Sequence, residues 1–255
     1  MSEAGVYSST DPILSLRGIG KSYGAVNAVI DVDLDIMRGE VIAICGDNGA
    51  GKSSLIKIIS GAEEPTSGQI CFNGKDVSFR SPSDALEQGV ATIYQDLALA
   101  PRLSIVQNIF LGSELVRPLI PSLLSVLDKR KMAEQALTYL QRLNPSLTDV
   151  NRPVQSLSGG QRQAIAIARA LRWNASVIIM DEPTAALGVK ETAQVIDLVR
   201  RLKDEGRTII LISHSMRDVI ALADRAIIMS GGRKIEDIPL AGLTAEVLSY
   251  KITTY

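Results

Sequence analysis

A glycine-rich run early in the chain has the residue types and spacing of a phosphate-binding loop. An apolar strand over 40–45 precedes it, and a helix is predicted over 52–59. In this setting the pattern GxxxxGK[ST] wraps backbone N–H groups around phosphates, while its lysine and serine reach the terminal phosphates and Mg²⁺. The positive N-terminus of the helix then faces the anion. The predicted phosphate-binding residues are Gly46, Asp47, Asn48, Gly49, Ala50, Gly51, Lys52, Ser53 and Ser54.

The three glycines of this loop have a predicted role of their own. Gly46, Gly49 and Gly51 lack a Cβ, so we expect them to allow a close approach of the phosphates to the backbone. The alternative is a glycine-rich turn that matches the pattern without binding a ligand. The order of strand, loop and helix favours phosphate binding over that alternative.

A second glycine-rich run lies well downstream and opens another helix, predicted over 161–171 from apolar residues at helical spacing. A serine hydroxyl and glycine N–H groups at a helix start suit a γ-phosphate. Because the first loop already holds phosphates from one side, the two runs together predict a nucleotide bound between two copies of the chain. The alternative is an ordinary helix start with a structural role. The residues of this second run are Leu157, Ser158, Gly159, Gly160 and Gln161.

Two adjacent acids follow a short apolar strand, 177–180, that has the pattern of a strand buried on both faces. Mg²⁺ on nucleotide phosphates is held by one or two carboxylates together with phosphates and water, so Asp181 is predicted to serve the ion. Glu182 then remains to orient or deprotonate an attacking water, which is the step that makes a hydrolase. The alternative is a solvated acidic turn before Pro183.

Two further polar residues also follow short apolar strands. His214, the only histidine in the chain, comes after the strand predicted over 208–213. We expect it to contact the γ-phosphate and the attacking water, with Glu182 holding its ring; the alternative is that it caps the next helix. Gln95 ends a strand near 92–94, where a neutral amide can touch Mg²⁺ and water. Open α/β sheets place ligands at these strand ends.

Together these segments resemble the ATP-binding cassette (ABC) family of transport ATPases, over roughly residues 12 to 235. The resemblance implies that ATP and Mg²⁺ are the ligands. The run 46–53 is similar to the Walker A loop and 157–161 to the signature motif, which binds ATP in trans across a dimer. Tyr23 matches the aromatic residue that stacks on adenine in this family, and a ring face stacks on any base.

The resemblance also implies roles for the polar residues at the strand ends. Glu182, His214 and Gln95 match the catalytic glutamate, the switch histidine and the Q-loop glutamine. Ser53, Gln95 and Asp181 match the residues that surround Mg²⁺.

A narrower resemblance is to importers of monosaccharides of the ribose, xylose and fructose type. It rests on 182–187 and on the segments 79–85, 99–101 and 108–112. It implies the energising subunit of a sugar importer, with an integral membrane permease as partner and, indirectly, a periplasmic or extracellular sugar-binding protein. One departure is Gly188, where the family commonly has Asp. This bears on the coupling between two ATP sites and leaves the hydrolytic groups intact.

The implied fold is α/β, the ABC ATPase type of P-loop NTPase, with a RecA-like parallel sheet core, an antiparallel β subdomain and a helical subdomain. The apolar stretch 115–124 is expected to pack within the helical part, with contact to a membrane subunit as the alternative. We expect a single nucleotide-binding domain, 1–255, divided into an ATP-binding core with its β subdomain (about 12–97 and 156–235), a helical subdomain (about 98–155) and a C-terminal tail (236–255).

Composition agrees with one globular unit. At 255 residues and 46% hydrophobic, the chain can bury a full core. No stretch approaches the roughly 18 apolar residues of a membrane helix and no signal segment is recognisable, so we expect a protein that does not itself cross a membrane. The resemblance to importer ATPases implies a cytoplasmic protein that lies peripherally on the inner face of the cell membrane. A net charge of -1 without a long basic cluster argues against nucleic acid as a partner. Cys45 and Cys71 lie in apolar runs and are expected to be reduced thiols.

A single set of motifs must be completed by another chain, and a two-fold homodimer is the simplest solution. Two alternatives remain. A non-transport ABC ATPase acting on ribosomes or DNA usually has tandem cassettes, long coiled-coil insertions or basic arms, which this sequence lacks. An ATP-holding module with negligible turnover is disfavoured by Glu182 and His214.

Overall fold

The computed structural model describes residues 11–120, 124–185 and 187–255. Its strands are β1 Pro12–Tyr23, β2 Val26–Met37, β3 Val41–Cys45, β4 Ser67–Phe72, β5 Lys75–Val77, β6 Val90–Ile93, β7 Val116–Ile120, β8 Leu124–Leu127, β9 Val177–Asp181, β10 Thr208–Ile212, β11 Arg225–Ser230 and β12 Arg233–Pro239. Its helices are α1 Lys52–Ile59, α2 Pro82–Gln88, α3 Ile105–Phe110, α4 Lys129–Leu143, α5 Gly159–Arg172, α6 Val189–Asp204, α7 Met216–Leu222 and α8 Ala245–Thr254.

The central sheet has six strands in the order β12-β11-β3-β10-β9-β6. Five of them are parallel, and β12 runs antiparallel at the edge. Strands β3 and β10 are buried along their whole length and β9 along all but its last residue, as expected for parallel strands covered on both faces. Carboxyl ends of parallel strands meet at one edge of a sheet. The loops after β3, β10, β9 and β6 therefore lie side by side, and each carries a predicted site segment.

The hydrophobic core has two parts, one on each face of this sheet. In β3, Val41, Ala43 and Cys45 belong to one cluster, while Ile42 and Ile44 belong to the other. Helices α5 and α6 cover the first face, and α1 covers the second. The predicted parallel-sheet α/β core is confirmed. Both cysteines are free, and burial raises the pKa of the Cys45 thiol to about 12, which makes it unreactive.

A second, antiparallel sheet has the strand order β2-β1-β4-β5. It comprises the segments 12–37 and 67–77, whereas the apolar strand 41–45 belongs to the central sheet. The Ile30 N–H donates to the Gly232 carbonyl at 2.8 Å, and the Gly232 N–H donates to the Ala50 carbonyl at 3.1 Å. These bonds fix the antiparallel sheet beside the loop 46–53.

The stretch 115–124 differs from its prediction. It was expected to pack in a helical lobe, but its described part begins a hairpin in which β7 pairs with β8; residues 121–123 lie outside the described residues. Pro118 disfavours a helix interior because it lacks an N–H group. The hairpin exposes large apolar side chains, with relative exposures of 61% for Val116, 57% for Leu119 and 49% for Leu124.

The predicted boundary between 235 and 236 falls inside β12, so the C-terminal segment is an integral part of the fold. Helix α8 buries Leu248 and Ile252, and the Lys251 ammonium lies 2.8 Å from the Glu236 carboxylate of β12. Among the residues that the structure describes, no helix combines the length and hydropathy needed to cross a membrane.

Candidate functional site

The loop 46–53 leads into a helix whose start has no capping side chain and no acid in its first turn. Six of the seven other described helices begin with a serine, threonine or aspartate that accepts a backbone N–H. Within the described residues, no hydrogen bond is made by the N–H groups of Gly51, Lys52, Ser53 and Ser54. An uncapped helix start with free donors is suited to an anion with several oxygens.

Lys52 is folded against this loop. Its ammonium donates to the carbonyls of Gly46 at 2.6 Å and Asp47 at 2.9 Å, and the residue is buried. Burial lowers the pKa of Lys52, and the carboxylates of Asp47, Glu182 and Asp181 oppose that shift. A buried ammonium beside this loop is a strong charge-assisted partner for a phosphate.

The loop glycines serve the chain's own packing more than was predicted. A Cβ on Gly46 would lie 2.2 Å from the Met229 carbonyl oxygen, and one on Gly51 would lie 2.3 Å from that of Ala28. Only Gly49 faces open space, with nothing within 4 Å of its Cβ position. All three have positive φ, of 147° for Gly46, 84° for Gly49 and 96° for Gly51. The folded chain itself therefore requires glycine at positions 46 and 51, even without a bound ligand.

This difference gives a prediction for Gly46→Ala and Gly49→Ala. Both substitutions strain a left-handed backbone by roughly 1–3 kcal/mol, but only the first also drives a methyl group into a backbone carbonyl. Urea unfolding without nucleotide should show a larger loss of unfolding free energy for Gly46→Ala. Equal losses for the two variants would contradict this account of the loop.

The acid pair lies at the end of β9. Asp181 is its last residue, and Glu182 follows with a φ of 49°, a left-handed conformation that is uncommon outside glycine. The Glu182 N–H donates to the Ile212 carbonyl of β10 at 2.9 Å, which fixes this turn to the next strand. Backbone strain of this kind is concentrated at functional sites.

Glu182 and His214 are neighbours, as predicted. His214 Nε2 lies 3.5 Å from Glu182 Oε1, and the histidine side chain is 61% exposed while that of Glu182 is 16% exposed. Burial raises the pKa of both Glu182 and Asp181, and the nearby His214 acts in the opposite direction. Within the described residues, Glu182 Oε1 is buried and has no hydrogen-bond partner. A buried carboxylate oxygen without a partner is unusual in a folded protein, and a hydrogen bond from a water molecule or a ligand would satisfy it.

A hydrogen bond that the sequence did not reveal joins the segments that carry these two residues. The Thr184 hydroxyl, two residues after Glu182, donates to Asp218 Oδ2 at 2.6 Å. Asp218 lies in the first turn of α7, just after His214. The bond holds the turn after β9 against the start of α7.

The Thr184→Val variant tests this contact, because valine keeps the shape and removes the hydroxyl. We expect a loss of about 1–3 kcal/mol in unfolding free energy, since Asp218 loses its partner. Chemical denaturation measures it, with Thr192→Val, a substitution in α6 away from this bond, as the control. An unchanged midpoint for Thr184→Val would show that the bond does not hold the two segments.

Gln95 is exposed just after β6, beside a loop that is held from α5. The Arg169 guanidinium donates to the carbonyls of Leu97 and Ala98, at 2.9 Å each. Burial lowers the pKa of Arg169. This contact could not be predicted, because in the sequence Arg169 is an ordinary basic residue near a helix end.

The second glycine-rich run is the start of α5, two residues earlier than predicted. Ser158 and Gln161 form a capping box: the Ser158 N–H donates to Gln161 Oε1 at 3.1 Å, and the Gln161 N–H donates to Ser158 Oγ at 3.4 Å. The Gly159 N–H donates to Glu191 Oε1 at 2.9 Å. Within the described residues, the N–H of the buried Gly160 makes no hydrogen bond, so it is an unpaired donor beside the exposed Ser158 hydroxyl.

One cavity lies between these segments. Its walls include Gln95, Gly159, Asp181 and Glu182, and none of the residues 46–53. The cavity therefore brings the Q-loop glutamine, the acid pair and the start of α5 together, and His214 joins them through Glu182.

Tyr23 ends β1 with a ring that is 44% exposed. Its hydroxyl donates to Glu63, and the Lys21 ammonium lies 5.3 Å from the ring centroid. The hydrogen bond from Tyr23 and the one from Lys57 lower the pKa of Glu63. The ring is thus held at its edge, and an exposed aromatic face remains for stacking.

Comparison with known proteins identifies the family. The model of the ABC transporter family matches residues 29–185, so the chain belongs to that family, as predicted. The fructose import ATP-binding protein FrcA of Rhizobium meliloti is 47% identical over 88% of this chain and 87% of its own length. The xylose/arabinose import ATP-binding protein XylG of Sulfolobus acidocaldarius is 47% identical over 88% of this chain and 86% of its own.

Solved structures agree with the fold. MJ1267, an ATP-binding cassette of an ABC transporter, superposes with a TM-score of 0.82 at 27% identity, over 96% of this chain and 98% of that one. The dimeric bacterial ABC transporter cassette MJ0796 gives a TM-score of 0.72 at 27% identity, over 90% of this chain and all of its own. The predicted ABC ATPase fold is confirmed.

Proposed function

We propose that this chain is the ATP-binding and ATP-hydrolysing subunit of an ABC importer for a monosaccharide. The observation that carries the proposal is the meeting of an uncapped helix start with the pair Glu182 and His214 at one edge of a parallel sheet. The similarity to FrcA and XylG supports sugar as the cargo. It does not favour the alternative of a ribosome- or DNA-associated ATPase.

The phosphates of ATP bind to the start of α1 and to Lys52, and the adenine stacks on Tyr23. Mg²⁺ fits the oxygen donors available at this edge, because Ser53 presents a hydroxyl, Gln95 an amide oxygen and Asp181 a carboxylate. When bound, the ion supplies charge that stabilises the phosphates in the transition state.

Glu182 is the general base in this proposal. Its left-handed backbone and the hydrogen bond from its N–H to the Ile212 carbonyl fix the main chain that carries the carboxylate, and burial raises the pKa of that carboxylate, as suits a general base. The free oxygen Oε1 orients the attacking water and accepts its proton. His214, 3.5 Å away and largely exposed, is positioned to contact the γ-phosphate.

A second copy of the chain completes the site. The Ser158 hydroxyl and the Gly160 N–H are the donors left free at the start of α5, and they contact the γ-phosphate bound by the partner's loop. The MJ0796 cassette, described as dimeric, supports this arrangement. Binding of ATP favours the closed dimer and hydrolysis releases it, which is the bias that drives transport.

The dimer acts on an integral membrane permease, and the chain lies peripherally on the inner face of the membrane. The import function of FrcA and XylG supports such a partner. The exposed apolar hairpin β7–β8 is a candidate contact, since contiguous apolar patches mark binding surfaces. A sugar-binding protein on the other side of the membrane would deliver the cargo.

Two substitutions test the catalytic assignment. Glu182→Gln should lower phosphate release at least about 100-fold and leave ATP binding intact, because it removes the base and keeps the shape. Lys52→Ala should weaken ATP binding itself, because the phosphates lose a charge-assisted partner. Phosphate release and binding of a fluorescent ATP analogue separate the two effects.

The same variants test transport. Cells that lack this gene should lose uptake of one radiolabelled monosaccharide, and the wild-type chain should restore it while Glu182→Gln should not. The control is Tyr250→Ser, on the exposed side of α8, which should behave as wild type. Rapid turnover by Glu182→Gln would refute the role of the glutamate, and uptake of every sugar tested without this gene would refute the cargo.

A further inference from the structure

One carboxylate joins the start of α5 to the turn that follows the acid pair. Glu191 lies in the first turn of α6. Its Oε1 accepts the Gly159 N–H at 2.9 Å, and its Oε2 accepts the Gly188 N–H at 3.3 Å. A single side chain therefore bridges two loops that the sequence places about thirty residues apart.

The two loops are also in direct contact. A Cβ on Gly159 would lie 2.4 Å from Leu187 Cδ2, and a Cβ on Gly160 would lie 2.9 Å from Gln194 Oε1. The start of α5 therefore packs against the ends of the Leu187 and Gln194 side chains in the segment 187–194. Because packed elements transmit displacements, movement of one segment is expected to affect the other.

A role in helix capping alone does not account for Glu191. Gly188, at the N-cap of α6, has no side chain, and a glutamate three residues later commonly accepts the N-cap N–H. Here that bond is the longer of the two, and the shorter one is accepted from Gly159 in α5. One oxygen of the carboxylate therefore binds a different helix.

The bond to Gly159 also decides which donors remain at the start of α5. It occupies the Gly159 N–H and leaves the Ser158 hydroxyl and the Gly160 N–H for a ligand. The orientation of these two donors depends on where Glu191 holds the backbone between them.

We propose that Glu191 is a positioning residue that couples the start of α5 to the turn after the acid pair. This proposed role of Glu191 rests on the proposed function, in which α5 contacts ATP bound to the other copy. Through Glu191, closure of the dimer on the γ-phosphate moves the turn that begins at Glu182. This coupling acts within one chain, on the same turn in which Gly188 replaces the aspartate common in the family.

The first test measures the bridge in the isolated full-length chain without nucleotide. Amide hydrogen exchange at Gly159 should be at least about tenfold faster in Glu191→Ala than in wild type, because its acceptor is gone. Glu191→Gln keeps the volume and offers one carbonyl oxygen in place of two acceptors, so its exchange should be intermediate. Asp197→Ala, which removes an exposed acid of the same helix, is the matched control and should leave exchange at Gly159 unchanged.

The second test measures coupling in a Glu182→Gln background. Glu191→Ala should raise the dissociation constant of the dimer formed with Mg²⁺ and ATP about tenfold, while the affinity of the monomer for the nucleotide stays unchanged. Glu191→Gln should again be intermediate, and Asp197→Ala should match the parent. Analytical ultracentrifugation gives the first constant, and a fluorescent ATP analogue gives the second.

Three results would overturn the proposal. Unchanged exchange at Gly159 would show that the bridge does not exist in solution. An unchanged dimer constant would show that the bridge transmits nothing. If Glu191→Ala weakened nucleotide binding by the monomer and also lowered its thermal stability, the role of Glu191 would be merely structural. If the Glu182→Gln parent itself fails to dimerise, the two-copy site fails first, and the coupling fails with it.

Discussion

The unpaired N–H groups at the start of α1 are the feature on which the rest of the site depends. They lie between the buried strand β3 and the partly buried helix α1, and no side chain in the described part of the chain caps them. Leaving several donors unsatisfied at a helix end is unfavourable unless an anion or water meets them. The tight backbone contacts at Gly46 and Gly51 hold the loop in this conformation. The backbone of this loop thus forms a site for an anion, and the positions of the other site residues matter because they lie near it.

The parallel sheet supplies the remaining groups, because four neighbouring strands end at the same edge. Helix α5 then connects the outer parts of that edge. Arg169, near its end, binds the loop that follows Gln95, and Glu191 binds its start to the turn after Glu182. In the proposed mechanism, a ligand that moves α5 acts on both the loop after Gln95 and the turn after Glu182. In this account, α5 is the element through which binding at one copy reaches the chemistry at the other.

Many of the secondary-structure elements and of the residues at the candidate site could be predicted from local sequence. The bounds predicted for α1 are those observed, and the acid pair and His214 follow buried strands as expected, because strand–loop patterns are encoded over a few residues. What escaped prediction depends on contacts between distant segments. Arg169 and Asp218 look ordinary until the fold brings them to a carbonyl or a hydroxyl. Gly46 and Gly51 were predicted to let phosphates approach the backbone, whereas their close neighbours in the structure are the chain's own carbonyl groups, which the loop sequence does not show.

The hairpin β7–β8 was missed for a different reason. Its apolar residues were read as helical packing, whereas Pro118 and the pairing of β7 with β8 make it an extended, exposed structure. Apolar content alone does not distinguish a buried helix from a surface that binds a partner.

The central claim is that two copies of the chain share each nucleotide, and the mass of a stalled variant tests it most directly. Light scattering on the Glu182→Gln chain of 27.4 kDa, with saturating Mg²⁺ and ATP, should give twice the monomer mass. Adding Ser158→Arg should return the monomer mass while the nucleotide remains bound. A stalled variant that stays monomeric with ATP bound, both alone and in the presence of its membrane partner, would contradict the account.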